Sequence, residues 1–188
     1  MKARRTPFRV VAADCPWRFA DKLQGTKGAA AQYPTMTVDE LCSFGVPIHL
    51  PPIADDAYLF FWRVAAMQAE ALAVINAWGF TVKSEIVWVK KTIRGNRHFG
   101  LGRHVRAEHE VCLIATRGKV APKSRSIRSV FEAPAGRHSE KPAKFYELVQ
   151  SIARGPYLEL FARRQRPGWT CTGNESSTGP GTALARAA

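Results

Sequence analysis

Short apolar runs, separated by polar stretches rich in glycine and proline, set the rhythm of this chain. Arg9 to Ala13 predicts a first strand that ends at Asp14-Cys15-Pro16-Trp17. Ala57-Tyr58-Leu59-Phe60-Phe61-Trp62 and Glu110-Val111-Cys112-Leu113-Ile114-Ala115-Thr116 are near-continuous apolar runs, the pattern of strands covered on both faces. Phe80 to Lys90 alternates, with Ile86 and Trp88 among polar neighbours, and ends in a basic loop. Ser129–Glu132, Tyr157–Ala162 and Trp169–Thr172 predict three shorter strands. Met67 to Trp78 has helical period: Ala71, Leu72, Ile75 and Trp78 share a face, and Gly79 stands in C-cap position. A second helix is capped by Ser139, carries Pro142 in its first turn, and lines up Phe145, Leu148, Val149 and Ile152. Thr37-Val38-Asp39-Glu40 has capping-box form and opens a short helix through about Phe44. Strands alternating with amphipathic helices predict an α/β domain with a mainly parallel sheet.

The stretches between these elements carry their own signals. Cys15 to Met36 shows little periodicity and is long for a connection, which suggests a functional lid. Lys90 to Arg106 gathers Lys90, Lys91, Arg94, Arg97, Arg103 and Arg106, interleaved with His98, Phe99 and His104 and hinged by glycines. Cations with aromatic neighbours suit phosphate contacts and base stacking, so Lys90, Arg94, Arg97, Arg103, His104 and Arg106 are the candidate nucleic-acid contacts. Val120 to Arg128 is a second basic, exposed loop. Residues 176–188 have almost no apolar bulk and are expected to form a disordered tail after a single domain spanning 1–175.

Charge narrows the class. The chain carries 28 Lys+Arg against 15 Asp+Glu, a formal net charge of +13, which favours a polyanionic partner such as nucleic acid. No apolar run is long enough to cross a bilayer, and the N-terminal residues lack the apolar segment of a signal peptide. Cys15, Cys42, Cys112 and Cys171 form no C-x-x-C pair, and the histidines supply no zinc spacing. A reduced, cytoplasmic protein without a metal or membrane partner is expected. The G-x-G-x-x-G fingerprint is missing, so a nucleoside cofactor needs another cradle.

The chemistry concentrates at the end of the first strand. Asp14 and the carbonyl of Cys15 can each accept a hydrogen bond from an amino group. Pro16 stiffens the turn, and Trp17 offers a face for a flat base. These are the needs of methyl transfer to the exocyclic amine of a nucleobase. The lone pair of adenine N6 is delocalised into the ring, and fixed acceptors on its N–H bonds stabilise the charge that develops on nitrogen. Cytosine N4 presents the same problem, and the motif alone leaves both open. Lys141 would oppose the helix dipole from a first turn, which hints at a ligand role.

With these residues in place, the chain resembles the MT-A70 family, the S-adenosylmethionine-dependent adenine-N6 methyltransferases. The likeness runs from about Arg9 to Glu175. It is carried by Asp14-Cys15-Pro16-Trp17, similar to the family's D-P-P-W, and by Tyr33-Pro34-Thr35-Met36, Leu59-Phe60-Phe61-Trp62, Trp78-Gly79-Phe80 and Val87-Trp88-Val89-Lys90. His138-Ser139-x-Lys141-Pro142, Glu159-Leu160-Phe161-Ala162-Arg163, Gly168-Trp169 and Gly173-Asn174-Glu175 follow in the family's order. The resemblance implies a Rossmann-like methyltransferase fold. It implies that Asp14 and the Cys15 carbonyl bind the target amine, with Pro16 and Trp17 shaping the base pocket. It places Asp14, Lys141, Glu159, Arg163, Asn174 and Glu175 at the cofactor. Two departures stand out. Cys15 replaces the motif's first proline, and the stretch between Arg163 and Trp169 is shorter and more basic than in eukaryotic relatives. The leading reading is an adenine-N6 methyltransferase acting on DNA, alone or as a homodimer or with a partner subunit. RNA as substrate and a non-catalytic nucleic-acid-binding subunit of the same fold are the alternatives.

Overall fold

A computed structural model of the chain describes residues 6–18, 35–44, 52–100, 104–136 and 140–173. Seven strands form one sheet: β1 (Phe8–Asp14), β2 (Ile53–Arg63), β3 (Thr81–Lys91), β4 (His109–Arg117), β5 (Val130–Pro134), β6 (Tyr157–Leu160) and β7 (Trp169–Thr172). Their order is β5-β3-β4-β2-β1-β6-β7. The pairings of β1 with β2 and β6, of β3 with β5, and of β6 with β7 are parallel; β4 alone runs against both its neighbours. The sheet is therefore mainly parallel with one reversed strand in its middle. That reversal brings the start of β4 to the edge where β1, β2 and β3 end, the edge at which α/β sheets bind ligands.

Helices cover both faces. On one side lie α1 (Val38–Cys42) and α2 (Gln68–Ala77), the latter entered through a 3-10 turn at Ala65–Met67. Val11, Leu59, Phe61, Val74, Ile75 and Phe80 fill the core beneath them. On the other side α3 (Ala143–Ile152) packs Phe145, Tyr146 and Val149 onto Val10, Phe60, Trp62, Ile86 and Trp88. Strand β2 supplies both cores because every residue from Ala57 to Trp62 is buried, odd numbers one way and even the other. The Thr37–Glu40 capping box forms as the sequence implies, and Gly79 closes α2 at φ 78°.

Three boundaries differ from the sequence reading. Leu72 is 39% exposed, and Val74 joins Ala71 and Ile75 on the buried stripe of α2. Strand β6 stops at Leu160, since Phe161 adopts φ 60° and turns the chain out of the ladder. Pro142 is the N-cap of α3, with φ −68° and ψ 150°, rather than a residue of its first turn. Lys141 therefore stands just before the helix, where two carboxylates rather than the helix dipole set the environment of its charge.

Candidate active site

The site grows from the last residue of β1. Asp14 pairs in register with Trp62 of β2, and Trp62 with Cys112 of β4. Above Trp62 sits Lys141, buried to 7% exposure, its ammonium 5.0 Å from the indole centre. Lys141 Nζ donates to Asp14 Oδ2 at 2.7 Å and lies 3.1 Å from Glu110 Oε2. Glu110 Oε1 in turn holds Lys90 Nζ at 2.7 Å. An ion chain, Asp14–Lys141–Glu110–Lys90, thus crosses the sheet edge from β1 through β4 to β3 with alternating charge. Its members neutralise one another, which is the condition for keeping charges out of water.

The shifts follow the geometry. Burial works against the Lys141 charge, but the Asp14 and Glu110 carboxylates outweigh it and carry its pKa upward. Burial also raises Glu110, yet Lys141 and Lys90 together bring it below the ordinary carboxylate value. With the side chain of Asp14 30% exposed and Oδ2 taken by Lys141, the carboxylate keeps accessible acceptor surface for an outside N–H.

A second polar group lies on the neighbouring strand, on the same face. Glu159 of β6 accepts the Tyr146 hydroxyl at 2.5 Å through Oε1. Its Oε2 has the Arg166 Nε at 3.7 Å and the Cys171 thiol at 3.7 Å, both long contacts. The Arg166 guanidinium carbon lies over the Tyr146 ring, 3.3 Å from its centre. Burial raises the Glu159 pKa, and it raises the Tyr146 hydroxyl and brings Cys171 up to about 11. Glu159 is thus a half-satisfied carboxylate with acceptor capacity left over, the property a vicinal diol requires. Gly173, just beyond β7, comes too close to the Phe161–Ala162 backbone for any side chain.

Residues 8–175 match the sequence model of MT-A70. The chain belongs to the MT-A70 family. Relatives include the type II methyltransferase M.MunI of a Mycoplasma species, 29% identical over 91% of this chain and 78% of that protein. The human N(6)-adenosine-methyltransferase catalytic subunit METTL3 is 28% identical over 89% of this chain. An Arabidopsis thaliana N(6)-adenosine-methyltransferase MT-A70-like protein is 29% identical over 89%. The chain spans most of the Mycoplasma protein but only 28% and 24% of the human and plant ones.

Read as an MT-A70 site, the D-C-P-W turn divides between the two faces of the sheet. Asp14 joins the ion chain on the α3 side, whereas Cys15 and Trp17 enter the core beneath α1 and α2. Trp17 is 3% exposed and meets Phe61 edge-on, with ring centres 6.0 Å apart. Cys15 stays a neutral thiol, its pKa raised first by burial and then by Asp14. Backbone hydrogen bonds tie the turn down. Trp17 N–H donates to the Cys15 carbonyl at 3.0 Å, Met36 N–H to the Pro16 carbonyl at 2.7 Å, and Arg18 N–H to the Met36 carbonyl at 2.9 Å. The Cys15 carbonyl keeps a second lone pair.

The remaining expected residues are distributed as follows. Lys141 and Glu159 lie on the site face, and Arg163 is three residues beyond the end of β6; Asn174, Glu175 and Arg103 fall outside the described residues, as do the tail at 176–188 and most of the lid. Of the basic loop, Lys90 is turned inward to Glu110, and Arg97 is paired with Glu108 at 2.8 Å. Arg94, His104 and Arg106 are exposed, Arg106 lying 6.0 Å from the Phe99 ring. Sequence reasoning missed Glu110, Trp62, Tyr146 and Arg166. The available signal for Glu110 was a carboxylate heading an otherwise apolar strand. Among the described residues no group of three His, Cys, Asp or Glu side chains could hold a metal ion, and no helix is long and apolar enough to cross a membrane.

Proposed function

We propose that this chain transfers the methyl group of S-adenosylmethionine to the N6 amine of adenine in DNA. The observation that carries this reading is Asp14. It is an accessible carboxylate at the carboxyl edge of β1, held in one orientation by Lys141. Membership of MT-A70 and relatives named as adenine-N6 methyltransferases support the reaction. DNA is favoured because this chain spans 78% of the Mycoplasma type II enzyme, so the two share most of one domain.

The donor set fits the cofactor. Glu159 has acceptor capacity for ribose hydroxyls, Arg163 stands four residues further along the chain, and Asp14 and Lys141 offer an anion and a cation near an amino-acid group. Asn174 and Glu175 follow on β7 in sequence and would complete the ribose and adenine contacts. Bound S-adenosylmethionine supplies an electrophilic methyl on a sulfonium sulfur. The chain's own residues do the rest. Asp14 and the Cys15 carbonyl accept the two N–H bonds of the amine, which favours a tetrahedral nitrogen and stabilises its developing charge. The new N–C bond would be matched by loss of the methyl–sulfur bond, leaving a neutral thioether, and the amine proton that leaves has Asp14 as its adjacent acceptor. Lys141 fixes the Asp14 carboxylate through this step, and Glu110 fixes Lys141.

Labelled methyl transfer from S-adenosylmethionine to matched DNA and RNA, followed by nucleoside analysis, tests the proposal. N6-methyldeoxyadenosine is the expected product. Label in ribonucleosides alone would overturn DNA, and label at cytosine N4 would overturn adenine.

A further inference from the structure

Three of the five exposed large apolar side chains among the described residues, Ile93, Phe99 and Val105, lie between β3 and β4. Ile93 stands out at 93% exposure. Its position is built. Gly95 N–H donates to the Thr92 carbonyl at 2.9 Å, Thr92 N–H to the Asn96 carbonyl at 2.8 Å, and Asn96 N–H to Thr92 Oγ1 at 3.1 Å. Gly95 takes φ 83°. Ile93 and Arg94 therefore fill the two central positions of a β-turn and project from its tip. Below the turn His98 N–H bonds the Lys90 carbonyl at 3.0 Å, and Arg97 is tied to Glu108. Lys90 belongs to the ion chain at Asp14, three residues and about 10 Å of extended backbone from Ile93.

An isoleucine held in water by a hydrogen-bonded turn, beside an arginine and on the loop that leaves Lys90 of the ion chain, calls for an occupant. A second copy of the chain is disfavoured, since each copy brings +13 to the contact. A polyanion with an apolar interior satisfies both features. Duplex DNA is such a partner, and its adenine N6 is reachable only when the base leaves the stack. The gap left behind is filled, in proteins that distort DNA, by apolar wedges.

We propose that Ile93 is the wedge that enters the base stack beside the displaced adenine, with Arg94 on the neighbouring phosphate. This rests on the DNA reading above. The test uses the full chain, wild type and Ile93→Ala, on methyl-free plasmid DNA, either native or heat-denatured. Ile93→Ala should lower the initial rate of methyl transfer about tenfold or more on native duplex, and far less on denatured strand. Once a target is mapped, 2-aminopurine at the target position should report weaker base displacement in the variant. A mismatch opposite the target should restore it. Arg94→Ala should weaken transfer to both forms alike. Equal loss on duplex and single strand, or no loss on duplex, overturns the wedge and leaves the methyltransferase standing. So does a dimer in sedimentation that Ile93→Ala dissociates. An inactive wild type on both forms overturns the reading on which the wedge depends.

Discussion

Glu110 and Glu159 are both largely buried glutamates on the α3 face of one sheet, and their acidities move in opposite directions. Burial pushes each upward. Glu110 answers with two lysines, at 2.7 and 3.1 Å. Glu159 has a neutral phenol and a guanidinium at 3.7 Å. Desolvation is common to the two sites, so the number and distance of cations set the sign. One carboxylate is a finished structural link. The other is an open acceptor that a ligand can complete.

The strongest test removes the end of the ion chain. Asp14→Ala should cut methyl transfer by about 10²–10³-fold while the fold persists, because Lys141 keeps Glu110; steady-state rates and a urea melt read the two separately. Lys141→Met leaves Asp14 without its cation and Glu110 with Lys90 alone, and should cost about 2–4 kcal/mol in urea unfolding, a loss that Glu159→Gln should not reproduce.

Acidity distinguishes the glutamates next. Glu110 is shifted down, so its stabilising contribution is complete above the ordinary value of 4.5 and lost as pH falls through the lower folded value. Glu159 is shifted up, so its contribution is present below 4.5 and lost as pH rises through the higher folded value. At neutral pH Glu110→Gln should therefore destabilise the chain, whereas Glu159→Gln should leave it equal or slightly more stable and weaken cofactor binding instead. Urea midpoints across pH and calorimetric titration check both signs. The smallest effect concerns the exposed loop. Arg94→Ala should lower the salt dependence of DNA affinity by about one unit of slope, and Arg97→Ala, whose charge is already met by Glu108, by less.

Periodicity and motif revealed the frame of this molecule. The apolar runs at Ala57–Trp62 and Glu110–Thr116 announced central strands, and Asp14 declared itself by standing at the end of one. The ion chain was hidden for a topological reason. Glu110 heads a strand, and only the reversal of β4, which no local pattern encodes, carries a strand's beginning to the edge where the others end. Lys90 read as a loop cation because Lys91 and Arg94 stand beside it; pairing of Trp88 with Glu110 across β3 and β4 turns it inward. Lys141 looked misplaced until Pro142 proved to be the cap. Arg166 was visible only as part of a basic run, because its stacking on Tyr146 joins residues twenty apart on different elements.

The hairpin of β3 and β4 deserves a mechanical description. Eight cross-strand pairs, from Thr81–Thr116 to Val89–His109, bind its arms into a single stiff blade. Lys90 and Glu110 lie where those pairs end, and Ile93 and Arg94 follow in the turn beyond. The groups that hold Lys141, and through it Asp14, therefore stand on the same paired strands that carry the outer turn.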